Sequence, residues 1–346
     1  MLSLQRTVIA FTLLLATLEC AAQGDPLFLS DDPLEITIEM PMNTLIRDAE
    51  SKPEIPGILR LRGNDGQSVS IEMTMTTRGR SRLDYCRFPP LKVNLKKGQT
   101  DGTVLAGQNK IKIVTHCRDG NLHERYLRQE FGIYKTYNAL TDYSYRARWL
   151  TVIYVDSDGK RDKETRPAFF IESNRELAAR HGRERATENR IPAGNLNPVE
   201  TSKYAMFQFL IANTDWSMLK GPGDEGCCHN GKILLEPGTT SDWIVVPYDF
   251  DQAGLISTKY ASPAPALRIR SVRQRLYRGR CRHNSEADST IALFNEKRAE
   301  IEKHLVPQEI SDSMRSRSAK YVDAFYEIVN DPKKRQKKVI EKCIGA

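Results

Sequence analysis

The feature that most constrains the fold is a change of hydrophobic period partway along the chain. Before residue 172, apolar residues recur at every second position. Leu34-Glu-Ile-Thr-Ile-Glu-Met40 alternates, as do residues 69–75 (VSIEMTM) and 91–95 (LKVNL). Successive side chains of a strand point to opposite faces, so these segments read as half-buried strands. In the last of them Lys92 points away from the face that Leu91, Val93 and Leu95 bury. Residues 149–155 and 167–172 are two further strand candidates. One helix interrupts them, because Leu127, Phe131, Tyr134 and Tyr137 recur at helical spacing within 122–140. Residues 173–196 are polar and read as a linker or exposed excursion. From 197 onward the pattern is mostly helical. Asn197-Pro198-Val199-Glu200 combines a capping residue, a proline at the first helical position and an acid. Residues 205–212 (AMFQFLIA) are apolar nearly all round, as in a buried helix. A hairpin is expected over 232–236 and 243–246. Two amphipathic helices follow, one with Ile291, Phe294, Ile301 and Leu305, the other with Ile310, Met314, Tyr321, Phe325 and Ile328. The chain thus reads as α+β, with a β-rich segment over 23–175 and a helical one over 176–346.

Residues 1–22 have the form of a cleaved export signal. Arg6 precedes an apolar run over 8–18, and Cys20-Ala21-Ala22 offers small residues before the cleavage point. The alternative, an uncleaved anchor, needs about 20 apolar residues to span a bilayer, and this run is shorter. Glu19 before Cys20 argues against lipidation. No later segment is apolar enough to cross a membrane, so the mature chain is expected to be periplasmic or secreted. In that oxidising setting Cys86, Cys117, Cys227, Cys228, Cys281 and Cys343 are expected to form disulfides. Cys86–Cys117 is the favoured pair, because both flank short strand-like runs in the same half. A zinc site at Cys227-Cys228-His229 fits poorly, since ligating cysteines come in spaced pairs.

Lys+Arg number 52 and Asp+Glu 44, a formal charge of +8. That surplus suggests an anionic ligand or surface without identifying one. The composition, 40% hydrophobic and 28% charged, excludes a collagen-like, coiled-coil or wholly disordered chain. The basic tail of Lys333, Lys334, Arg335, Lys337 and Lys338 reads as a solvated end. No nucleic-acid partner is expected.

The residues that look chemical form one series: Asn213-Thr214-Asp215-Trp216, then His229-Asn230, then Pro247-Tyr248-Asp249-Phe250-Asp251. The two ends of a hairpin can converge on one point, which here gathers three carboxylates and an amide. Such hard oxygen donors suit Mg²⁺ or Mn²⁺. Strand-like spacing would put Asp249 and Asp251 on one face. A single Asp before a helix or in a turn is more often a cap, and Asp-x-Asp arises often by chance. The order helix, Asp, loop, Asn, hairpin, Asp is what points to phosphotransfer, with one Asp orienting the acceptor and an Asn and a second Asp holding the metal.

The series N-T-D-W…H-N-G-K-I-L-L…V-P-Y-D-F-D resembles the spore-coat CotH kinase family and, more distantly, the secretory-pathway atypical kinases. Arg78-Gly79-Arg80-Ser81 followed by Phe88-Pro-Pro-Leu-Lys92 is similar to that family's R-G-x-S…K segment. The resemblance implies a bilobal protein-kinase-like fold with a β-rich N-lobe and a helical C-lobe. It implies an extracytoplasmic kinase that moves phosphate from ATP to protein hydroxyls with Mg²⁺ or Mn²⁺. In that reading Lys92 contacts the phosphates and pairs with a helix carboxylate, first Glu130 and second Glu124. Arg78 and Arg80 cover the phosphates in place of a glycine-rich loop. Glu172 lies near the hinge, Asp215 is the catalytic carboxylate, and Asn230, Asp249 and Asp251 bind metal. Two other readings stand beside it: a non-catalytic envelope, assembly or binding protein, and a metal-dependent glycosyltransferase using Asp249-x-Asp251.

Overall fold

The computed structural model describes residues 25–221 and 226–345. The export signal expected over 1–22 lies outside the described residues. The alternating segments do form strands: β1 (Leu34–Met40), β2 (Ile55–Arg62), β3 (Ser68–Thr77), β4 (Leu91–Leu95), β5 (Lys110–Thr115), β6 (Ala147–Asp156) and β7 (Glu164–Ile171). They pair in the order β1-β2-β3-β4-β5-β7-β6 and close into a barrel. Closure is made by β1. It runs antiparallel to β2 on one edge. On the other it lies parallel to β6 over its full length, from Leu34 opposite Leu150 to Met40 opposite Asp156.

This overturns the bilobal kinase-like fold, although the α+β class holds. The expectation called for a separate β-rich N-lobe above a helical C-lobe. The structure has a closed seven-stranded barrel with helices packed on one flank. The physical reason is that alternation fixes which face of a strand is buried and is silent on which strand lies beside it. A parallel pairing of segments more than a hundred residues apart leaves no local mark on the sequence. Closing the sheet also removes the exposed edges that an open sheet must protect.

The period-two pattern then gives each strand two environments. Ile36, Ile38, Leu59, Ile71, Met73, Val93, Ile113, Leu150, Val152, Ala168 and Phe170 fill the barrel interior. The intervening residues of β6 and β7, Trp149, Phe169 and Ile171, face outward into the helical core. Each fully buried side chain of this size contributes roughly 1.5–3 kcal/mol, so this shared wall binds the barrel to the helices.

Short helices α1 (Met42–Arg47) and α2 (Ser81–Tyr85) link strands, and α3 (Asn121–Leu140) runs along the outside between β5 and β6. The stretch read as a linker holds α4 (Asn174–Arg180) and the short strand β8 (Glu184–Arg185). Ser173 and Glu176 cap α4 reciprocally. Then come α5 (Pro198–Leu210), the hairpin strands β9 (Gly231–Leu235) and β10 (Ile244–Pro247), and α6 (Ala287–Glu296), α7 (Arg298–Leu305), α8 (Asp312–Asn330) and α9 (Pro332–Lys338). The Asn197 side chain caps α5 by accepting from the Glu200 amide at 2.8 Å. None of the helices among the described residues is long and apolar enough to cross a membrane.

Cys86 and Cys117 form the expected disulfide, with α-carbons 4.6 Å apart. Cys281 pairs with Cys343. Cys227 and Cys228 are bonded to each other, which leaves neither sulfur for a metal.

Candidate functional site

The chemistry gathers where the outer face of the barrel meets the hairpin. Interior residues of β4 and β5 are the odd-numbered ones, so Lys92 and Lys112 both point outward, directly opposite each other in the ladder. They differ in what covers them. Lys92 is exposed, whereas Lys112 is half-buried one strand nearer the helical body. Its Nζ lies 3.5 Å from Asn174 Oδ1 and 5.6 Å from the Tyr248 ring. Lys232 sits 5.2 Å from the same ring. Burial, then repulsion from Arg78, Lys232 and Arg185, pushes the Lys112 ammonium down to about 7, with Asp249 acting the other way.

The β3–β4 connection brings the arginines. Arg78 is half-buried and its Nε has no hydrogen-bond partner among the described residues. Arg80 is exposed at the start of α2. Arg82, on α2 itself, is the hub. Its Nη2 donates to Glu130 Oε2 at 2.8 Å, and its Nε donates to Asp251 Oδ2 at 2.8 Å. Asp249 Oδ1 lies 3.6 Å from Nη2. Burial opposes charge on Arg82, but Asp251, Glu130 and Asp249 outweigh it and hold the guanidinium protonated. Three carboxylates share that one cation. Burial and the neighbouring Asp251 and Asp249 therefore raise Glu130 to about 7, against the pull of Arg82. Asp249 is raised too, by its surroundings first, then by Asp251, with Asp215 adding to the effect.

Asp215 follows α5. An Asn213 side chain accepting from its amide at 3.0 Å shapes the turn. Its Oδ1 meets His229 Nε2 at 2.7 Å, and its Oδ2 accepts from Asn230 Nδ2 at 2.9 Å. The hairpin sets Asn230 beside Tyr248, whose amide donates to the Asn230 carbonyl at 3.2 Å. Asn230 and Asp249, one at each end of the hairpin, are both left-handed, with φ of 47° and 62°. Non-glycine residues seldom adopt that conformation, and it clusters at functional sites. Asp249 is therefore not in a strand, contrary to the spacing argument for Asp249-Phe250-Asp251.

Several expected partnerships change. Glu130 pairs with Arg82, not with Lys92. Glu172 is almost fully buried; its carboxylate holds Arg180 at 3.0 Å and accepts from the Arg146 amide at 3.1 Å, so it fastens α4 to the barrel. Asp251 is 5% exposed and committed to Arg82. Asp215 and Asp249 are the accessible carboxylates, each side chain 40% exposed. Both Asp215 oxygens are engaged, by His229 and Asn230, and it is the amide nitrogen of Asn230 that is turned toward Asp215. Arg82, Lys112 and Lys232 are absent from the expected set. The alternation Lys110-Ile-Lys-Ile-Val114 could have pointed to Lys112. Nothing local could have found Arg82, whose partners lie 48 and 169 residues away.

The larger concavities lie elsewhere. One of about 740 Å³, lined by Met40, Gly57, Met73 and Leu95, flanks the barrel. Its charged residues are already paired, Glu72 with Lys96 at 2.7 Å and Glu39 with Arg60. Compared with known proteins, the chain matches no family model and no curated protein sequence.

Proposed function

We propose that this junction transfers a phosphoryl group from a nucleoside triphosphate to a hydroxyl, with protein side chains as acceptors. The observation that carries the reading is a group of cations beside a group of oxygen donors where the barrel meets the hairpin. Arg78 and Lys112 lie on the barrel side, and Lys232 lies on β9, on the hairpin side with Asn230 and Asp249. Lys112 and Arg78 both feel the charge of Asp249. Positioning and charge neutralisation are most of what phosphoryl transfer requires.

Lys112, Arg78 and Lys232 bind the phosphates. Asp215, its carboxylate oriented by His229 and Asn230, receives the acceptor's proton as the new oxygen–phosphorus bond forms and the bond to the leaving diphosphate breaks. Asp249 and Asn230 would hold Mg²⁺ or Mn²⁺, which when bound would neutralise phosphate charge. The disulfides fit an oxidising compartment, which agrees with a periplasmic or secreted setting.

A second reading has its own observation. Both Asp215 oxygens are already hydrogen-bonded, which suits a non-catalytic binding or assembly protein that captures nucleotide without transferring phosphate. A glycosyltransferase built on Asp249-x-Asp251 is disfavoured, because Arg82 occupies Asp251. Incubation with γ-labelled ATP, Mn²⁺ and a mixed protein acceptor decides among these. Transfer lost in Asp215→Asn supports the enzyme, and binding without any transfer supports the scaffold.

A further inference from the structure

The geometry points to a second, separate metal site at one end of the barrel, formed by His116, Asp119 and Glu164 and suited to a divalent ion of the zinc class. His116 follows β5, Asp119 lies in the turn before α3, and Glu164 opens β7. One ligand atom from each lies within 4.8 Å of the other two. Tetrahedral ligands at roughly 2.1 Å from a zinc ion lie about 3.4 Å from one another, so the three side chains would draw together around an ion.

A second observation is independent of the spacing. His116 is 3% exposed, and its Nδ1 is buried with no hydrogen-bond partner. Tyr154, opposite Glu164 in the β6–β7 ladder, has a buried hydroxyl that is equally unpartnered. Buried polar atoms are nearly always satisfied, and an unpartnered imidazole nitrogen in a group with two carboxylates marks a place built for something more. The ring of His116 is fixed against Phe88 at 4.8 Å, and its neighbour Cys117 is locked in a disulfide.

Arg166 donates to Asp119 Oδ1 at 2.5 Å and to Glu164 Oε2 at 2.9 Å. Arg161 stands 3.6 Å from Glu164 Oε1. Arg166 thus bridges and orients the two carboxylates, and an ion would share them with this guanidinium through their remaining lone pairs. One imidazole and two carboxylates make a three-ligand set of the kind that holds zinc and leaves one position open. An ion there would tie the β5–α3 turn to the start of β7.

The test is a calorimetric Zn²⁺ titration of the untagged, oxidised full chain, repeated with Co²⁺ to read its visible absorption. Wild type should bind one equivalent at this site. Asp119→Asn and Glu164→Gln should each weaken it at least tenfold, while Asp249→Asn leaves it unchanged. Asp119 is largely exposed, so its variant keeps the fold even if His116→Gln does not. No Zn²⁺ binding by wild type would overturn the proposal. So would binding that survives both carboxylate variants or is lost only in Asp249→Asn.

Discussion

Lys112 sits among Arg78, Lys232 and Arg185, and its ammonium falls to about 7 from an ordinary 10.5. The sign of the consequence follows. Between those two values the unfolded chain holds a proton that the folded chain lacks, so this group's contribution to stability rises with pH across that window and is lost as pH falls through about 7. A triphosphate beside Lys112 would restore the charge. Nucleotide binding at pH 8.5 should therefore take up as much as about one proton. Calorimetry in buffers of different ionisation heat reads that uptake, and Lys112→Met should abolish it. Glu130 has the opposite sign. Its folded value of about 7 against 4.5 means the folded chain holds the extra proton. Its stabilising contribution is complete below about 4.5 and gone above about 7. Urea melts across that window should show Glu130→Gln losing this fall in stability. If the two proteins change in parallel, the carboxylate is not protonated there. Lys92 shows the reach of a local argument. Alternation correctly put it outside the barrel, but direction does not tell it from Lys112, which points the same way and is more covered. Cover depends on the packing of the helical body.

At the scale of elements, legibility followed locality. The start of α5 was readable because Asn197, Pro198 and Glu200 act within one turn. The same logic applied to Ser173-Asn-Arg-Glu176 and would have shown α4 inside the presumed linker. Replacing Ser173 with Ala should cost about 1 kcal/mol in denaturant unfolding. β2 was hidden by Pro56-Gly57, residues that ordinarily signal turns. Gly57 is there because a side chain would meet Met40 Cβ at 2.7 Å, so the irregularity reflects close approach to β1. Gly132 in α3 has the same cause. A β-carbon there would lie 2.1 Å from the His304 carbonyl oxygen of α7. Backbone cannot swing aside as a side chain does, so Gly132→Ala should destabilise by at least about 1–3 kcal/mol. An unchanged melting temperature would show that α3 and α7 are not so closely packed.

The whole molecule rests on long-range closures that no local pattern records: β1 against β6, Arg82 against Asp251, and two disulfides spanning 31 and 62 residues. Chain-entropy arguments give each of those disulfides about 3–4 kcal/mol. Paired Cys86→Ser and Cys117→Ser changes should lower unfolding free energy by that order. If the closed barrel and the hairpin meet to hold nucleotide, the most direct measurement is calorimetric binding of a non-hydrolysable ATP analogue with and without Mn²⁺. Wild type should bind only with the metal. Asp249→Asn should abolish that metal-dependent binding, and Lys112→Met should weaken binding about 10–100-fold, the loss of one charge-assisted contact. Lys92→Met should change little. A wild-type chain that binds no analogue with Mn²⁺ or Mg²⁺, or one whose binding falls with Lys92 and not with Lys112, would contradict the account.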